Sequence, residues 1–394
     1  MNIGVDATVW MNQRGYGRHA RLLFLSLMGM DNENHYTFVI DSPDIPSDIP
    51  DSGQVIQVKA QMPTVMAASS DSRRSLGDMW RMSRALSNPE FDVLVFPTVY
   101  SYVPVFSRAR KILFIHDIIP EKFPEYTLPS PTARYYWQFK SYLGRLQSNV
   151  IITVSDYSKK LIIQHYKVNS KKVYVVGLAP DPIFRFIENP ILTPTLSALG
   201  IDRNSHIIVY VGGFGPHKNV SMLVDVLTRL MRLPDYSDLK CVLVGEYRKE
   251  VFYSTAGEIQ TRIEEHGLSG RIQFTGYLPD DELVLLLNLS TVLVLPSMME
   301  GFGLPAVEAA ACGCPVIATN ASPLPSILGR GGLYFDPTKP EELEERLIQV
   351  LSASDLRHTM KEAGQKAIQA LSWEKSAEQM KAIIDQVGHG NKTA

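Results

Sequence analysis

Two carboxylates, Glu300 and Glu308, bracket the string Gly301-Phe302-Gly303-Leu304-Pro305. Glycines at 301 and 303 let a backbone approach a ligand closely. The N–H groups of Phe302, Gly303 and Leu304 fall at a helix start, where the dipole favours negative charge. A carboxylate beside a phosphate is repelled by it, so both glutamates fit better as acceptors of hydrogen bonds from sugar hydroxyls. An anion seat between two hydroxyl acceptors suits a nucleotide sugar. Taken singly, Glu308 could serve only the helix dipole and Glu300 could be a solvated loop residue. Flanking one glycine loop, they point to a site. A second anion seat is written in Gly212-Gly213-Phe214-Gly215-Pro216-His217-Lys218, where glycines lead to a lysine and then to a helix capped by Asn219 or Ser221. The plain alternative for Lys218 is an exposed loop lysine.

These residues need rigid elements behind them. The apolar run Val292 to Leu295 reads as a buried parallel strand. A helix opens at Pro305 and stops at Gly313, since Pro315 forbids its continuation. A second buried strand, Val316 to Thr319, closes a strand–loop–helix–strand unit, and such units bind ligands at the carboxyl ends of their strands. Further strands are expected at 3–10, 36–40, 91–96, 111–115, 151–155, 173–176, 207–211, 241–244 and 272–274, alternating with helices. That alternation predicts an α/β protein of two doubly wound parallel sheets. The Pro-rich stretch 177–190 reads as the linker between them.

Composition sets the frame. At 394 residues, 45% hydrophobic and 20% charged, the chain predicts a soluble protein of two domains. No apolar run of about 18 residues is present, so no membrane span is expected. The amino terminus contains Asp6 and passes straight into a strand pattern, unlike a signal peptide. Cys241, Cys312 and Cys314 sit in apolar stretches and read as free thiols of a reducing compartment. No metal site is expected. Residues 1–185 hold 21 Lys and Arg against 16 Asp and Glu, a net of +5, and the rest hold 18 against 25, a net of −7. A basic front half attracts an anionic partner. Within it, residues 62–88 end in an amphipathic helix that sets Arg73, Arg74, Arg81 and Arg84 near Leu76, Met79, Trp80 and Met82. Such a helix suits an anionic membrane surface, or merely a solvated face.

Near the amino terminus, Gly15-Tyr16-Gly17-Arg18-His19-Ala20 matches the loose dinucleotide pattern, and Asp41 ends a strand where a ribose-binding acid would sit. This keeps an NAD(P)-dependent oxidoreductase in view. Against it, polar residues including Asn12 to Arg14 separate the strand from the glycines. His116 follows the strand at 111–115, again at a carboxyl end.

Glu300 and Glu308, with seven residues between them, GFGLP inside and EAAACGCPVIAT after, resemble the Glu-x7-Glu signature of retaining glycosyltransferases of family 4. The resemblance extends over nearly the whole chain. It implies the GT-B fold, two Rossmann-like domains facing across a cleft. Residues 1–185, together with a last helix 374–394 that crosses back, would bind the acceptor, and 186–373 the donor. Lys218 matches a lysine that holds the donor diphosphate, while Gly213 stands where the family usually has an arginine. The Gly15–Gly17 loop matches one that touches sugar and phosphate. Tyr277 and Leu278 lie in a loop that passes the nucleotide base. The string from His116 to Pro124 resembles a subset with many mannosyltransferases, whose histidine sits near the transferred sugar. The implied catalytic residues are His116, Glu300 and Lys218. The implied donor contacts are Gly15, Gly17, Gly213, Lys218, Tyr277, Leu278, Glu300, Phe302, Gly303, Leu304 and Glu308. The donor is a GDP or UDP sugar, with no further cofactor, no metal and no nucleic-acid partner. The expected activity is transfer of a hexose, mannose as first assignment, to a glycan or lipid-linked acceptor in surface polysaccharide or glycolipid synthesis. The expected mechanism is front-face attack with retention, and the expected location is cytoplasmic with peripheral contact to anionic membrane. The aromatic, basic helix 132–147 would be part core and part acceptor groove. A non-catalytic sugar-nucleotide-binding protein is the other alternative.

Overall fold

Four short runs, Val93–Phe96, Val150–Thr153, Val292–Leu295 and Val316–Thr319, are buried at every residue. Apolar segments without alternation need a sheet covered on both faces, which is the environment of parallel strands. The computed structural model describes all residues except 13–14, 62–63, 65–74, 129, 203–204, 248–253 and 391–394. It divides into two compact units, Met1–Ile118 with Leu128–Leu178 and Ser372–Ala394, and Ile119–Thr127 with Ala179–Leu371. The chain thus leaves the first unit inside the Pro-rich stretch 177–190, and the short segment 119–127 groups with the second.

The first unit holds seven parallel strands: β1 (Asn2–Asp6), β2 (His35–Ile40), β3 (Gln54–Gln57), β4 (Val93–Phe96), β5 (Arg110–Phe114), β6 (Val150–Thr153) and β7 (Val173–Val175). Their order is β3-β2-β1-β4-β5-β6-β7, so the direction of winding reverses between β1 and β4. The second unit holds β8 (Ile207–Val211), β9 (Lys240–Val244), β10 (Ile272–Gly276), β11 (Val292–Leu295), β12 (Val316–Thr319) and β13 (Gly332–Phe335) in the order β10-β9-β8-β11-β12-β13. Here the reversal lies between β8 and β11. Both are doubly wound parallel sheets, the α/β class read from the sequence.

Several local expectations change. The first strand ends at Asp6, well short of residue 10, because the Asp6 carboxylate accepts from the Thr8 N–H (3.2 Å) and hydroxyl (2.7 Å) and turns the chain. Gly15 and Gly17 form no turn of their own and instead begin the helix Gly15–Met30. Gly17 is needed there by sterics, since a Cβ would lie 1.8 Å from the Asn12 carbonyl oxygen. The helix read as opening at Pro305 begins one residue earlier, at Leu304. Asn219 precedes the helix Val220–Leu230 in a left-handed conformation (φ +56°) without capping it, and its Nδ2 donates instead to the Pro337 carbonyl (3.0 Å).

The Ala-rich helix Leu304–Ala311 packs between its sheet and the helix Ser354–Ile368, with Ala306, Ala309, Ala310 and Ala311 all buried. Small side chains let a helix be enclosed on opposite sides. In the first unit the helix Trp373–His389 packs on Gly15–Met30. Ser376 donates to the Gly177 carbonyl (2.9 Å), and Lys381 reaches Glu33 (3.2 Å) and Asp385 (2.9 Å).

Candidate active site

In the second unit the site grows from the reversal point, where a parallel sheet leaves a crevice between diverging loops. β8 runs out into the glycines 212, 213 and 215 and a short 3-10 turn, Pro216–Lys218. β11 runs out into Pro296–Gly303. The loops are tied together, because the Met298 N–H donates to the His217 carbonyl (2.8 Å), and Glu300 N–H donates to Ala321 O beyond β12 (3.1 Å). This brings together Lys218 and Glu300, whose sequence positions lie far apart. Lys218 Nζ is 2.7 Å from Glu300 Oε1, and the same oxygen accepts from the Ser297 hydroxyl at 2.6 Å.

Glu300 is only 9% exposed. Burial pushes its carboxyl up, but the Lys218 ammonium and the hydrogen bonds from Lys218 and Ser297 outweigh this and hold it below the usual carboxylate range. His217 is driven the opposite way. Burial first, and then the Lys218 charge, push its imidazole down to about 4 despite the pull of Glu300. It is therefore neutral at pH 7, and its buried Nδ1 has no partner among the described residues. Neither Ser297 nor His217 was found from sequence. A serine three residues before a glutamate carries no distinctive signal, and His217 was passed over for its neighbour Lys218.

The helix start expected to seat an anion follows Glu300 by three residues. Gly303 adopts φ +88°, and a Cβ there would meet Leu324 Cδ1 at 2.8 Å, so glycine is required for both backbone and space. The first N–H groups of a helix have no intrahelical acceptor, and those of Gly303, the cap residue, and Leu304 occupy this position, while Phe302 precedes it. Glu308 is buried one turn on, at 3% exposure, and its charge adds to burial in pushing the Cys312 thiol up to about 12. Gly213 accepts a hydrogen bond from the Tyr210 hydroxyl at its carbonyl. At the end of β10, Tyr277 is 58% exposed while Leu278 is buried, so only the tyrosine offers an open side chain.

In the first unit, β5 delivers His116. Its Nε2 lies 2.9 Å from Nδ1 of His19, which the helix Gly15–Met30 supplies. Tyr16, Phe114 and Trp373 wall the two imidazoles with ring centroids 5.4–6.2 Å away. Burial pushes His116 down to about 4, and burial, with the neighbouring His116, holds His19 well below the ordinary imidazole value. His19 was missed as a site residue; its place inside the glycine string was the only hint. Asp41, the acid an oxidoreductase would use for ribose, is buried and accepts from Thr64 N–H (2.7 Å) and hydroxyl, closing a loop. All three cysteines are buried and free. Among the described residues, no three of His, Cys, Asp or Glu group as metal ligands, and no helix is long and apolar enough to cross a membrane.

A family model described as Glycosyltransferase Family 4 matches residues 17–182, and one described as Glycosyl transferases group 1 matches residues 195–367. Among curated relatives, O-antigen chain mannosyltransferase B of Escherichia coli is 28% identical over 272 residues, 67% of each chain. The serotype-specific mannosyltransferase WbdA of Escherichia coli is 26% identical over 277 residues, 68% of this chain and 32% of that one. The chain thus spans about a third of that longer relative. Among solved structures, sucrose-phosphate synthase from Thermosynechococcus elongatus superposes with a TM-score of 0.78 at 17% identity, covering 99% of this chain and 100% of that one. Anabaena HepE, solved with UDP-glucose, gives a TM-score of 0.73 at 18% identity over 98% and 99%. At that identity these neighbours speak to the fold, which is GT-B. With a family 4 model on its first half and a group 1 model on its second, the chain belongs to the family 4 glycosyltransferases.

Proposed function

We propose that this glycosyltransferase moves a hexose, mannose as first assignment, from a nucleoside-diphosphate sugar with retention at the transferred carbon. The observation that carries the reading is the Lys218–Glu300–Ser297 cluster at the reversal point of the second sheet, beside the Gly303 helix start. Departure of a nucleoside diphosphate builds negative charge, which preorganised N–H groups and a lysine stabilise. Lys218 pairs with Glu300 when no donor is bound. On donor binding it turns to the diphosphate, and Glu300 accepts from a sugar hydroxyl. Glu308 serves the ribose, and His116 hydrogen-bonds the sugar. The positive potential comes from Lys218 and backbone N–H groups, so the reaction needs no metal ion. The printed names of the mannosyltransferase relatives support the sugar, and the UDP-glucose complex of HepE supports the donor class. The protein incubated with GDP-mannose and with UDP-hexoses should release the diphosphate at the same rate with and without EDTA, and the product linkage should keep the donor's anomeric configuration by NMR. Inversion, or activity abolished by chelation and restored by Mg²⁺ or Mn²⁺, would overturn the mechanism.

The acceptor is a glycan or lipid-linked glycan bound by the first unit, which rests against an anionic membrane. Support comes from an exposed apolar surface. Tyr135, Phe139, Tyr142 and Leu146 project along one side of the helix Pro131–Gln147, each 55–75% exposed. Leu76 (84%) and Trp80 (62%) do the same on Leu76–Leu86, and the helices touch where Tyr136 Oη meets Met79 Sδ at 3.7 Å. Arg84 lies over Trp80, and Lys140 over Tyr136. Aromatic rings beside basic side chains are the composition of interfacial helices. The arginine set narrows, because Arg81 pairs with the buried Asp78 and Arg73 and Arg74 lie outside the described residues. Helix 132–147 buries Trp137, Ser141 and Gly144 and exposes most of its aromatics. The protein should co-sediment with phosphatidylglycerol vesicles at low salt and be released at high salt. Arg84→Glu with Lys140→Glu should weaken binding by about 30-fold or more, since each basic group near an anionic surface adds about 1 kcal/mol and each 1.4 kcal/mol is tenfold. No binding at low salt would sink the membrane reading.

A further inference from the structure

We infer that His19 is a positioning residue that fixes His116 with its proton on Nδ1, so that His116 meets the transferred sugar as a hydrogen-bond donor. The inference rests on the reading that His116 faces the sugar, and it starts from the 2.9 Å contact between His19 Nδ1 and His116 Nε2. Among the described residues, the rings of Tyr16, Phe114 and Trp373 stand around the pair. Burial keeps both imidazoles neutral at pH 7. Two neutral rings at this distance share one proton, which leaves two arrangements.

In the first, His19 Nδ1–H donates to His116 Nε2. His19 Nε2 is then a bare lone pair, and His116 carries its own proton on Nδ1. In the second, His116 Nε2–H donates to His19 Nδ1. The proton of His19 must then sit on Nε2, which is buried and has no partner among the described residues. A buried N–H without an acceptor is rarer than an under-satisfied acceptor. The first arrangement is therefore favoured. Its lone pair engaged, His116 cannot take a proton through Nε2. It offers a donor N–H through Nδ1, which suits an oxygen of a sugar hydroxyl. This makes His116 an orienting group rather than a base, and the tautomer is set from a different element, the helix Gly15–Met30. Asparagine at position 19 could place an amide N–H near the Nδ1 position and reproduce the donation.

The test is the tautomer itself, read by ¹⁵N NMR on the full chain labelled at histidine, with His116 assigned by its loss in His116→Gln. Wild type should show a pyrrole-type Nδ1 and a pyridine-type Nε2 at His116. His19→Asn should keep that pattern. His19→Leu should lose it, with kcat lowered about tenfold and the donor KM changed less than about twofold, the signature of lost orientation. His19→Asn should restore kcat to within about twofold. A proton on Nε2 of His116 in wild type overturns the inference, as does an unchanged tautomer in His19→Leu. The wild-type spectrum decides even where His19→Leu fails to fold. If the tautomer is locked yet His116→Gln turns over normally, the lock stands and the role of His116 in transfer falls.

Discussion

Replacing Lys218 by alanine should weaken binding of a free nucleoside diphosphate by about 10- to 100-fold. A hydrogen bond to a charged group contributes roughly 1.5–3 kcal/mol, and each 1.4 kcal/mol is tenfold. The family resemblance implies an arginine at the position of Gly213, whose carbonyl here accepts from Tyr210, so the diphosphate should depend more on Lys218. The Lys218–Glu300 pair adds a second effect. Without the ammonium, Glu300 keeps Ser297 alone as a side-chain partner among the described residues, in a buried setting, and should repel the incoming phosphate. The loss should therefore shrink when Lys218→Ala is made in a Glu300→Gln background. Glu308→Ala should weaken the diphosphate and the diphosphate sugar alike, because its proposed partner is the ribose. Glu300→Ala should chiefly lower turnover, because its proposed partner is the sugar. Titration calorimetry with both ligands separates these outcomes. Wild-type affinity in Lys218→Ala would remove the lysine from the diphosphate site, and equal losses on both ligands for both glutamate variants would dissolve the division of roles.

Mild acid should destabilise the protein long before its carboxylates protonate. His19, His116 and His217 are held neutral by burial, with His116 and His217 pushed down to about 4. The unfolded chain binds protons at these rings near the ordinary 6.5 while the folded chain does not, so stability rises with pH across that window. The contribution is complete above about pH 6.5 and is lost progressively as pH falls toward 4. At pH 5 each ring should cost about 1–2 kcal/mol. Glu300 and Asp31 are held below the usual carboxylate range, so their stabilising effect is present above it and disappears only in stronger acid. Scanning calorimetry at pH 7.5, 6 and 5 should show the melting temperature falling. The first unit, with two such rings, should fall more than the second, with one. A flat profile down to pH 5 would mean the rings are solvated.

The two sheets were legible because their central strands announce themselves. Val292–Leu295 and Val316–Thr319 were read to the residue, since a run buried on both faces has no polar member to blur its ends. The strands missed altogether, Gln54–Gln57 and Gly332–Phe335, are both edges. An edge strand pairs on one side only and tolerates glutamines and glycine, so its composition resembles a loop. The glycine loop with Glu300 and Glu308, and Lys218, were visible as motifs because residue type and local spacing carry them. What stayed hidden was pairing across loops: that Lys218 closes on Glu300, that Ser297 shares the same oxygen, and that His19 meets His116. Such contacts depend on strand order, and strand order is a long-range property. The dinucleotide reading failed for a related reason. In that string Gly17 serves a close approach to Asn12, and Asp41 accepts from Thr64.

The chain passes from one unit to the other four times, and the first unit takes its final piece, Ser372–Ala394, from beyond the whole of the second. During synthesis, the side of Gly15–Met30 that receives Trp373–His389 therefore emerges without its cover. His19 has no Trp373 beside it, and the Gly177 carbonyl waits for Ser376 until 179–371 have been made. Domains generally fold as units as they are synthesised. Ala179–Leu371 is nearly self-contained, wanting only the nine residues 119–127 already made. The second unit is thus free to close while the first is still held open, and the domain begun first is the one completed last.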